Sequence, residues 1–206
     1  MSIFDICGTL YSCNTTFEFC KWRERRLVYR SLLWLTKTLP LKAGNRLIEK
    51  FFAIDLIRVL HLRTLKGCSE SEIEISARRF VKEVLADFKV LPVHQILESK
   101  DLSSVVLVSA TIEPVAKAIA EYLGVPSYLA STLCIKKGRY DGEIKNDLLG
   151  NKHSLFKGVD IDLVVTDNKS DYLLCKQARE VVIVSKRANM QYWKEKSLTN
   201  LSLIEV

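Results

Sequence analysis

The spacing of apolar residues changes character along the chain, and each change marks a different kind of element. Ile3 to Ile6 is a short apolar run, broken by Asp5, that stops at Gly8-Thr9 as a strand stops at a turn. From Thr15 to Leu97 the pattern is helical and poor in glycine and proline. Leu27, Val28, Ser31, Leu32 and Leu35 share one helix face, with Arg23, Arg25, Arg26 and Arg30 around the rest. Pro40 interrupts, and a second helical stretch is expected from Lys42 to Leu62. Ser69-x-x-Glu72 has the form of a capping box, and Ile73, Ala77, Phe80, Val81, Val84 and Leu85 carry it on as an amphipathic helix. The whole block predicts a small helical bundle.

After Asp101 the period shifts. Val105 to Val108 is continuously apolar, as expected of a strand buried on both faces. Ser109-Ala110-Thr111 follows, and Glu113-Pro114 opens a helix that runs to Tyr122 and ends at Gly124. Ser127 to Ile135 and Tyr140 to Ile144 read as extended pieces split at Gly138. Ile161 to Val165, Val181 to Val184 and Leu201 to Ile204 are further strands. Strands alternating with helices predict an α/β fold with a parallel, Rossmann-like sheet, interrupted after its first strand by the helical block. The expected division is a core of residues 1–13 and 98–206 with a helical cap of residues 14–97 inserted into it.

Composition narrows the class. The 206 residues, 48% hydrophobic and 27% charged, suit one well-cored domain with a smaller insertion. No apolar run reaches the roughly 18 residues of a membrane span, and no basic stretch precedes an apolar one at the N-terminus, so a cytoplasmic protein is expected. The six cysteines include no CxxC pair, which argues against a zinc ribbon. Cys13, Cys20, Cys68, Cys134 and Cys175 read as reduced packing residues. A net charge of +7 without any helix-turn-helix, RNA-binding or zinc-finger pattern points to an anionic substrate rather than to nucleic acid.

In parallel sheets ligands bind beyond the carboxyl ends of the strands. Three expected strands end there in polar residues: Asp5, Ser109 and Asp167. A strand-end aspartate alone is more often a turn or helix cap than a catalyst. Three polar strand ends with a Gly-Thr turn and a downstream Lys152 make a set that a cap does not need.

These residues carry a resemblance. Asp5-Ile6-Cys7-Gly8-Thr9-Leu10 resembles the first motif of the haloacid dehalogenase superfamily, usually D-x-D-G-T, and Val106 to Thr111 resembles the second. Lys152 in Gly150-Asn151-Lys152-His153 resembles the third, and Thr166-Asp167-Asn168-Lys169-Ser170-Asp171 the fourth. Gly138-Arg139-Tyr140-Asp141-Gly142 is similar to a segment of the phosphoserine-phosphatase-like branch, in which a helical cap follows the first motif. The resemblance implies a phosphatase with Asp5 as nucleophile, forming an aspartyl-phosphate. It implies Mg²⁺ on Asp5, the backbone carbonyl of Cys7 and Asp167, with Asp171 supporting the metal shell. Lys152 would neutralise charge, Ser109 would donate to a phosphoryl oxygen beside Ala110, and the Gly8 and Thr9 N–H groups would add donors.

Cys7 departs from the pattern, since the family's phosphatases place an acid/base aspartate there. Such help is worth about 10²- to 10⁴-fold. Three readings stay open: hydrolysis that is slow or needs a good leaving group, transfer to an acceptor other than water, or a domain that only binds a phosphorylated ligand. The family's phosphoserine phosphatases carry an acidic residue where Asn14 stands here, which argues against phosphoserine itself. Lys21, Arg23, Arg25, Arg26 and Arg30, interleaved with Trp22 and Trp34, would favour an anionic or lipid-linked phosphate at a membrane surface, the whole site taking a small or lipid-linked phosphate monoester; the alternative is a solvated helix face with core tryptophans.

Overall fold

The computed structural model describes residues 1–24, 31 and 55–206. Its centre is a sheet whose first strand, β1 (Ser2–Phe4), is shorter than the apolar run that predicts it. Phe4 is its last residue, and Asp5 continues the line with its N–H on the Val165 carbonyl at 2.9 Å. Beyond that point the chain turns at Gly8, so the polar end of the run lies past the ladder.

Helix α1 (Thr15–Arg23) starts at Asn14, whose side chain accepts from the Phe17 N–H. Helix α2 (Leu56–Arg63) starts afresh at Asp55, which caps it by accepting from the Arg58 N–H. The helix face expected over residues 27–35, the break at Pro40 and the start of the second stretch at Lys42 lie outside the described residues. Helix α3 (Glu70–Glu83) begins with the expected capping box: Ser69 and Glu72 each satisfy the other's backbone N–H. Its buried stripe is Ile73, Ala77, Phe80 and Val81, and it ends one residue before Val84, which with Leu85 enters a 3₁₀ turn instead. Helix α4 (Leu91–Glu98) completes the block.

Strand β2 (Val105–Ile112) runs four residues further than its apolar core. Its register on β3 (Ser127–Lys136) slips between Ser109 and Ile112, so Ala110 and Thr111 bulge out of the ladder. Helix α5 (Glu113–Leu123) joins the two strands and ends at Gly124 with φ +71°. The two extended pieces expected around Gly138 form a hairpin of β3 with β4 (Arg139–Asn146), turned by Lys137 and Gly138, both at positive φ. β5 (Ile161–Thr166), the short α6 (Tyr172–Cys175), β6 (Ala178–Ser185), α7 (Arg187–Lys194) and β7 (Leu201–Glu205) follow.

The strand order is β4-β3-β2-β1-β5-β6-β7, parallel throughout except for the edge strand β4. β1 lies between β2 and β5, so the chain moves outward one way through β2 and β3 and the other way through β6 and β7. Successive side chains on a strand face opposite ways, and the core divides accordingly. Phe4, Leu107 and Val165 join a cluster with Phe19, Phe80 and Ile119 from the helices on one face. Ile3, Val108 and Val164 join Phe156, Leu174 and Trp193 on the other. Helices cover both faces, as an α/β fold requires. Helix α3 packs against α5 and is tied to it by Lys117–Glu74 at 2.7 Å and Arg78–Glu121 at 2.8 Å.

No helix among the described residues is long and apolar enough to cross a membrane. All six thiols are free, and Cys20 and Cys175 are buried packing residues.

Candidate active site

The ends of β1, β2 and β5 meet where the strand order changes direction, the place such sheets offer to ligands. A cavity of about 390 Å³ opens there, within the range of small-molecule sites. Asp5, Cys7, Gly8, Ser109, Lys152 and Asp167 all line it. Residues brought from positions 5 to 167 are thus gathered by the sheet itself.

Asp5 is 4% exposed. One carboxylate oxygen, Oδ1, accepts from the Ile6 N–H at 2.7 Å, and Oδ2 lies 2.7 Å from Lys152 Nζ. Burial pushes its pKa up, with Asp171 adding to the rise, while Lys152 and Ser109 oppose it. The same ammonium lies 2.8 Å from Asp171 Oδ2. Burial would strip Lys152 of its proton, but the two carboxylates outweigh it and hold the pKa above the ordinary lysine value. Lys152 is therefore a fixed cation bridging two acids.

Asp171, expected to support the metal shell, is engaged on its Lys152 side. Its Oδ2 is taken by Lys152 and by the Thr166 hydroxyl at 2.7 Å, and it does not line the cavity. Its other oxygen is buried and has no hydrogen-bond partner among the described residues. What it does here is anchor Lys152 from behind.

Asp167 follows β5 and accepts from the Thr9 hydroxyl at 3.2 Å. Burial, then repulsion from Asp5, raises its pKa to about 7. The chain passes so close to it at Gly8 that a Cβ there would stand 2.1 Å from Asp167 Oδ2, and φ is +72°. Only glycine fits. The Gly8 and Thr9 N–H groups, expected to face a phosphate, donate within their own loop instead, to the Tyr11 and Ile6 carbonyls at 2.7 and 3.4 Å. A loop this short satisfies its own donors before any ligand arrives. Thr9, fully buried, serves Asp167 through its hydroxyl.

Cys7 Sγ sits among hydroxyls. It accepts from the Thr15 N–H at 3.3 Å and lies 3.1 Å from Thr15 Oγ1 and 3.0 Å from Thr111 Oγ1. Those two hydroxyls are 2.9 Å apart, and Ser109 Oγ is 3.1 Å from Thr111. Burial, and then the charge of Asp5, drives the thiol further from ionising.

Sequence reasoning missed Arg58. It reaches the cavity from α2 and is clamped there: Nη1 lies 2.7 Å from Asp147 Oδ2, and Nη2 donates to the Ala110 carbonyl at 2.8 Å and to Ser131 Oγ at 3.3 Å. Ser131 donates to Asp147 Oδ1 at 3.0 Å, closing the cluster. Ala110, expected to help bind phosphate, thus turns its carbonyl to Arg58. The partners are 89 residues apart in sequence, and no local spacing announces them. Thr111 and Thr15 were equally silent.

Three carboxylates, Asp5, Asp167 and Asp171, stand against the single ammonium of Lys152. The surplus of negative charge and the hard oxygen donors of Asp5 and Asp167 fit a divalent cation such as Mg²⁺. Among the described residues, no three His, Cys, Asp or Glu side chains converge into a ready ligand cluster, and Asp171 is bonded to Lys152.

The family model for haloacid dehalogenase-like hydrolases matches residues 3–176, most of the chain. The protein belongs to this family. Among curated proteins no sequence matches it. Solved structures that resemble this chain include a protein of unknown function from Bordetella pertussis Tohama I, with TM-score 0.68 and 17% identity, covering 100% of this chain and 97% of that one. A cytosolic 5'-nucleotidase IIIB bound to cytidine aligns with TM-score 0.65 and 13% identity over 100% of this chain and 80% of its own. A substrate-bound phosphoserine phosphatase aligns with TM-score 0.59 and 15% identity over 99% and 91%. At such identities the likeness is one of fold.

Proposed function

We propose that the protein is a Mg²⁺-dependent phosphatase that attacks a phosphate monoester with Asp5 and passes through an aspartyl-phosphate. The observation that carries this reading is the Asp5 carboxylate itself. It is buried yet opens into the cavity, with Lys152 fixed at 2.7 Å to offset the charge of an incoming phosphate. An anionic nucleophile and an anionic substrate repel each other, and a preorganised cation in a dry site is the usual remedy.

Asp5 would supply the attacking oxygen while its other oxygen stays on the Ile6 N–H, which fixes the carboxylate plane. Lys152 would neutralise nucleophile and phosphoryl group together. Ser109, at the mouth of the β2 bulge, would donate to a phosphoryl oxygen. Asp5 and Asp167, with the Cys7 carbonyl, would hold the metal. When bound, Mg²⁺ supplies charge neutralisation at the phosphoryl oxygens.

Residues 14–97 would act as the cap that selects the substrate. Asn14, Thr16 and Phe17 from the start of α1, and Asp55 and Arg58 from α2, line the cavity opposite the strands. The volume suits a small phosphate ester or the head group of a lipid-linked one. Of the basic stretch, Lys21 pairs with Glu18 at 2.9 Å and Arg23 donates to Cys68 Sγ at 3.0 Å; Arg25, Arg26, Arg30 and Trp34 lie outside the described residues.

The test is phosphate release from a broad panel of phosphate esters with Mg²⁺, and its loss in Asp5→Asn. Release abolished by that change, with a phosphorylated Asp5 trapped by rapid quench, is the expected result. No release from any ester would overturn the phosphatase reading; if calorimetry then showed Mg²⁺-dependent binding of a phosphate analogue, the domain would be a phosphoryl-ligand binder.

A further inference from the structure

The cavity raises a question about the group that leaves phosphorus. An alkoxide is too basic to depart unaided, so a phosphatase acting on alkyl phosphates needs a proton donor beside its nucleophile. Among the described residues that line this cavity, the charged side chains other than Asp5 are each engaged elsewhere. Lys152 is held between Asp5 and Asp171, and Arg58 is held by Asp147, Ala110 and Ser131. Asp55 caps α2 through the Arg58 N–H at 2.9 Å, and Asp167, which lies against Gly8 and accepts from the Thr9 hydroxyl, would be held ionised by the metal assigned to it above.

That leaves Cys7. A thiol has one hydrogen and is a weak donor. Its sulfur takes the Thr15 N–H, and two hydroxyls stand within 3.1 Å of it, so its own hydrogen has an oxygen partner inside the cluster. Thr15 and Thr111 are fully buried or nearly so, which holds the cluster in place. The ring of thiol and hydroxyls fills the position beside the nucleophile without offering a strong acid to the cavity.

We infer that this site is selective for phosphates whose leaving group departs as a stable anion, namely acyl and aryl phosphates, and discriminates against phosphates of aliphatic alcohols. The inference rests on the phosphatase reading above. In the first step an oxygen lone pair of Asp5 forms a bond to phosphorus as the bond to the leaving oxygen breaks. The electron pair leaves with that oxygen as a carboxylate or phenolate, which needs no proton from the protein. In the second step water adds to phosphorus, the bond to Asp5 breaks, and both protons of the water leave on inorganic phosphate while Asp5 returns as carboxylate.

The experiment measures kcat/KM with Mg²⁺ for aryl phosphates whose phenols span a wide range of acidity, together with acetyl phosphate, glycerol phosphate and O-phosphoserine. The ratio kcat/KM reports the step in which the leaving group departs. It is expected to fall steeply with leaving-group basicity, leaving the alkyl phosphates about 10²- to 10⁴-fold behind the best aryl phosphates, the range that acid help is worth. Cys7→Asp should flatten that dependence by raising the alkyl phosphates most, while Cys7→Ser should keep it steep. A cysteine that only packs would not move the slope. Alkyl phosphates turned over as fast as aryl ones by the unaltered protein would overturn the inference while leaving the phosphatase intact. So would a slope that a folded Cys7→Asp protein leaves unchanged. Turnover of no ester, acetyl phosphate included, would remove both.

Discussion

Lys152 holds its ammonium 2.7 Å from the Asp5 carboxylate, and it does so from a side chain that is itself only 3% exposed. Asp171 grips the same ammonium at 2.8 Å, so one lysine compensates two buried acids. Removing it, as in Lys152→Met, leaves both uncompensated, and losing one partner of a buried pair costs about 3–5 kcal/mol. Burial raises the pKa of Asp5, and a carboxylate whose folded pKa is raised stabilises the fold below its unfolded pKa and loses that contribution as pH rises through the folded value. The deficit should therefore be larger at pH 8 than at pH 5. Urea unfolding of both proteins at the two pH values, without metal, measures it; an equal deficit at both would show that Lys152 is not the counter-ion.

Gly8→Ala would place a methyl group 2.1 Å from Asp167 Oδ2 at a φ of +72°. Backbone strain of this kind costs on the order of 1–3 kcal/mol. The carboxylate would also have to move off the Thr9 hydroxyl. The expected outcome is a lowered Tm together with loss of Mg²⁺-dependent phosphate release. A variant with full activity would show that the position of Asp167 does not matter.

Arg58 and Asp147 tie α2 to the loop that leads into Lys152. Asp147 is 37% exposed, so the pair is worth less than a fully buried one, on the order of 1–2 kcal/mol. A double-mutant cycle of Arg58→Met and Asp147→Asn, followed by urea unfolding, should return a coupling of about that size. Strict additivity would mean that the Ala110 carbonyl and Ser131, rather than Asp147, hold the guanidinium.

His94 is buried, with Nε2 3.1 Å from the Leu10 carbonyl and its ring edge-on to Tyr11. Burial lowers its pKa below the usual 6.5. A lowered folded pKa contributes stability that is present above the unfolded value and lost as pH falls through the folded one. His61, stacked on Phe17 at 4.2 Å, shifts the same way for the same cause. The protein should lose stability as pH drops below about 6.5, and His94→Gln should lose less. Thermal melts from pH 7.5 to 5 report this; parallel curves for the two proteins would place the titration elsewhere.

How much of this was legible in the sequence can be seen from the cap of α3 and the turn at Gly8. Ser69 and Glu72 are three residues apart and find each other whatever the rest of the chain does, so the capping box was readable and is present. Buried strands announced themselves as apolar runs, and their order of appearance predicted the parallel sheet. The strand ends were less legible. β2 outran its apolar core because the ladder with β3 continues through a bulge, a feature set by the neighbouring strand rather than by local composition.

The sequence by itself determined that Asp5, Lys152 and Asp167 lie at the ends of elements or in loops, where a side chain can meet a ligand; Ser109, expected at a strand end, lies within β2 just before its bulge. Periodicity and turn chemistry are short-range properties, and they sufficed for that. Only the tertiary structure decided what each of these groups faces. Lys152 was expected to face the substrate, yet it also bonds Asp171 behind it; Gly8 and Thr9 were expected to offer N–H groups, yet spend them within their loop. Cys7 gained Thr15 and Thr111 as neighbours from 8 and 104 residues away. Charge and hydrogen-bond partnerships in a buried site depend on distances of a few ångströms between segments far apart in the chain. Those distances exist only once the sheet has brought the segments together.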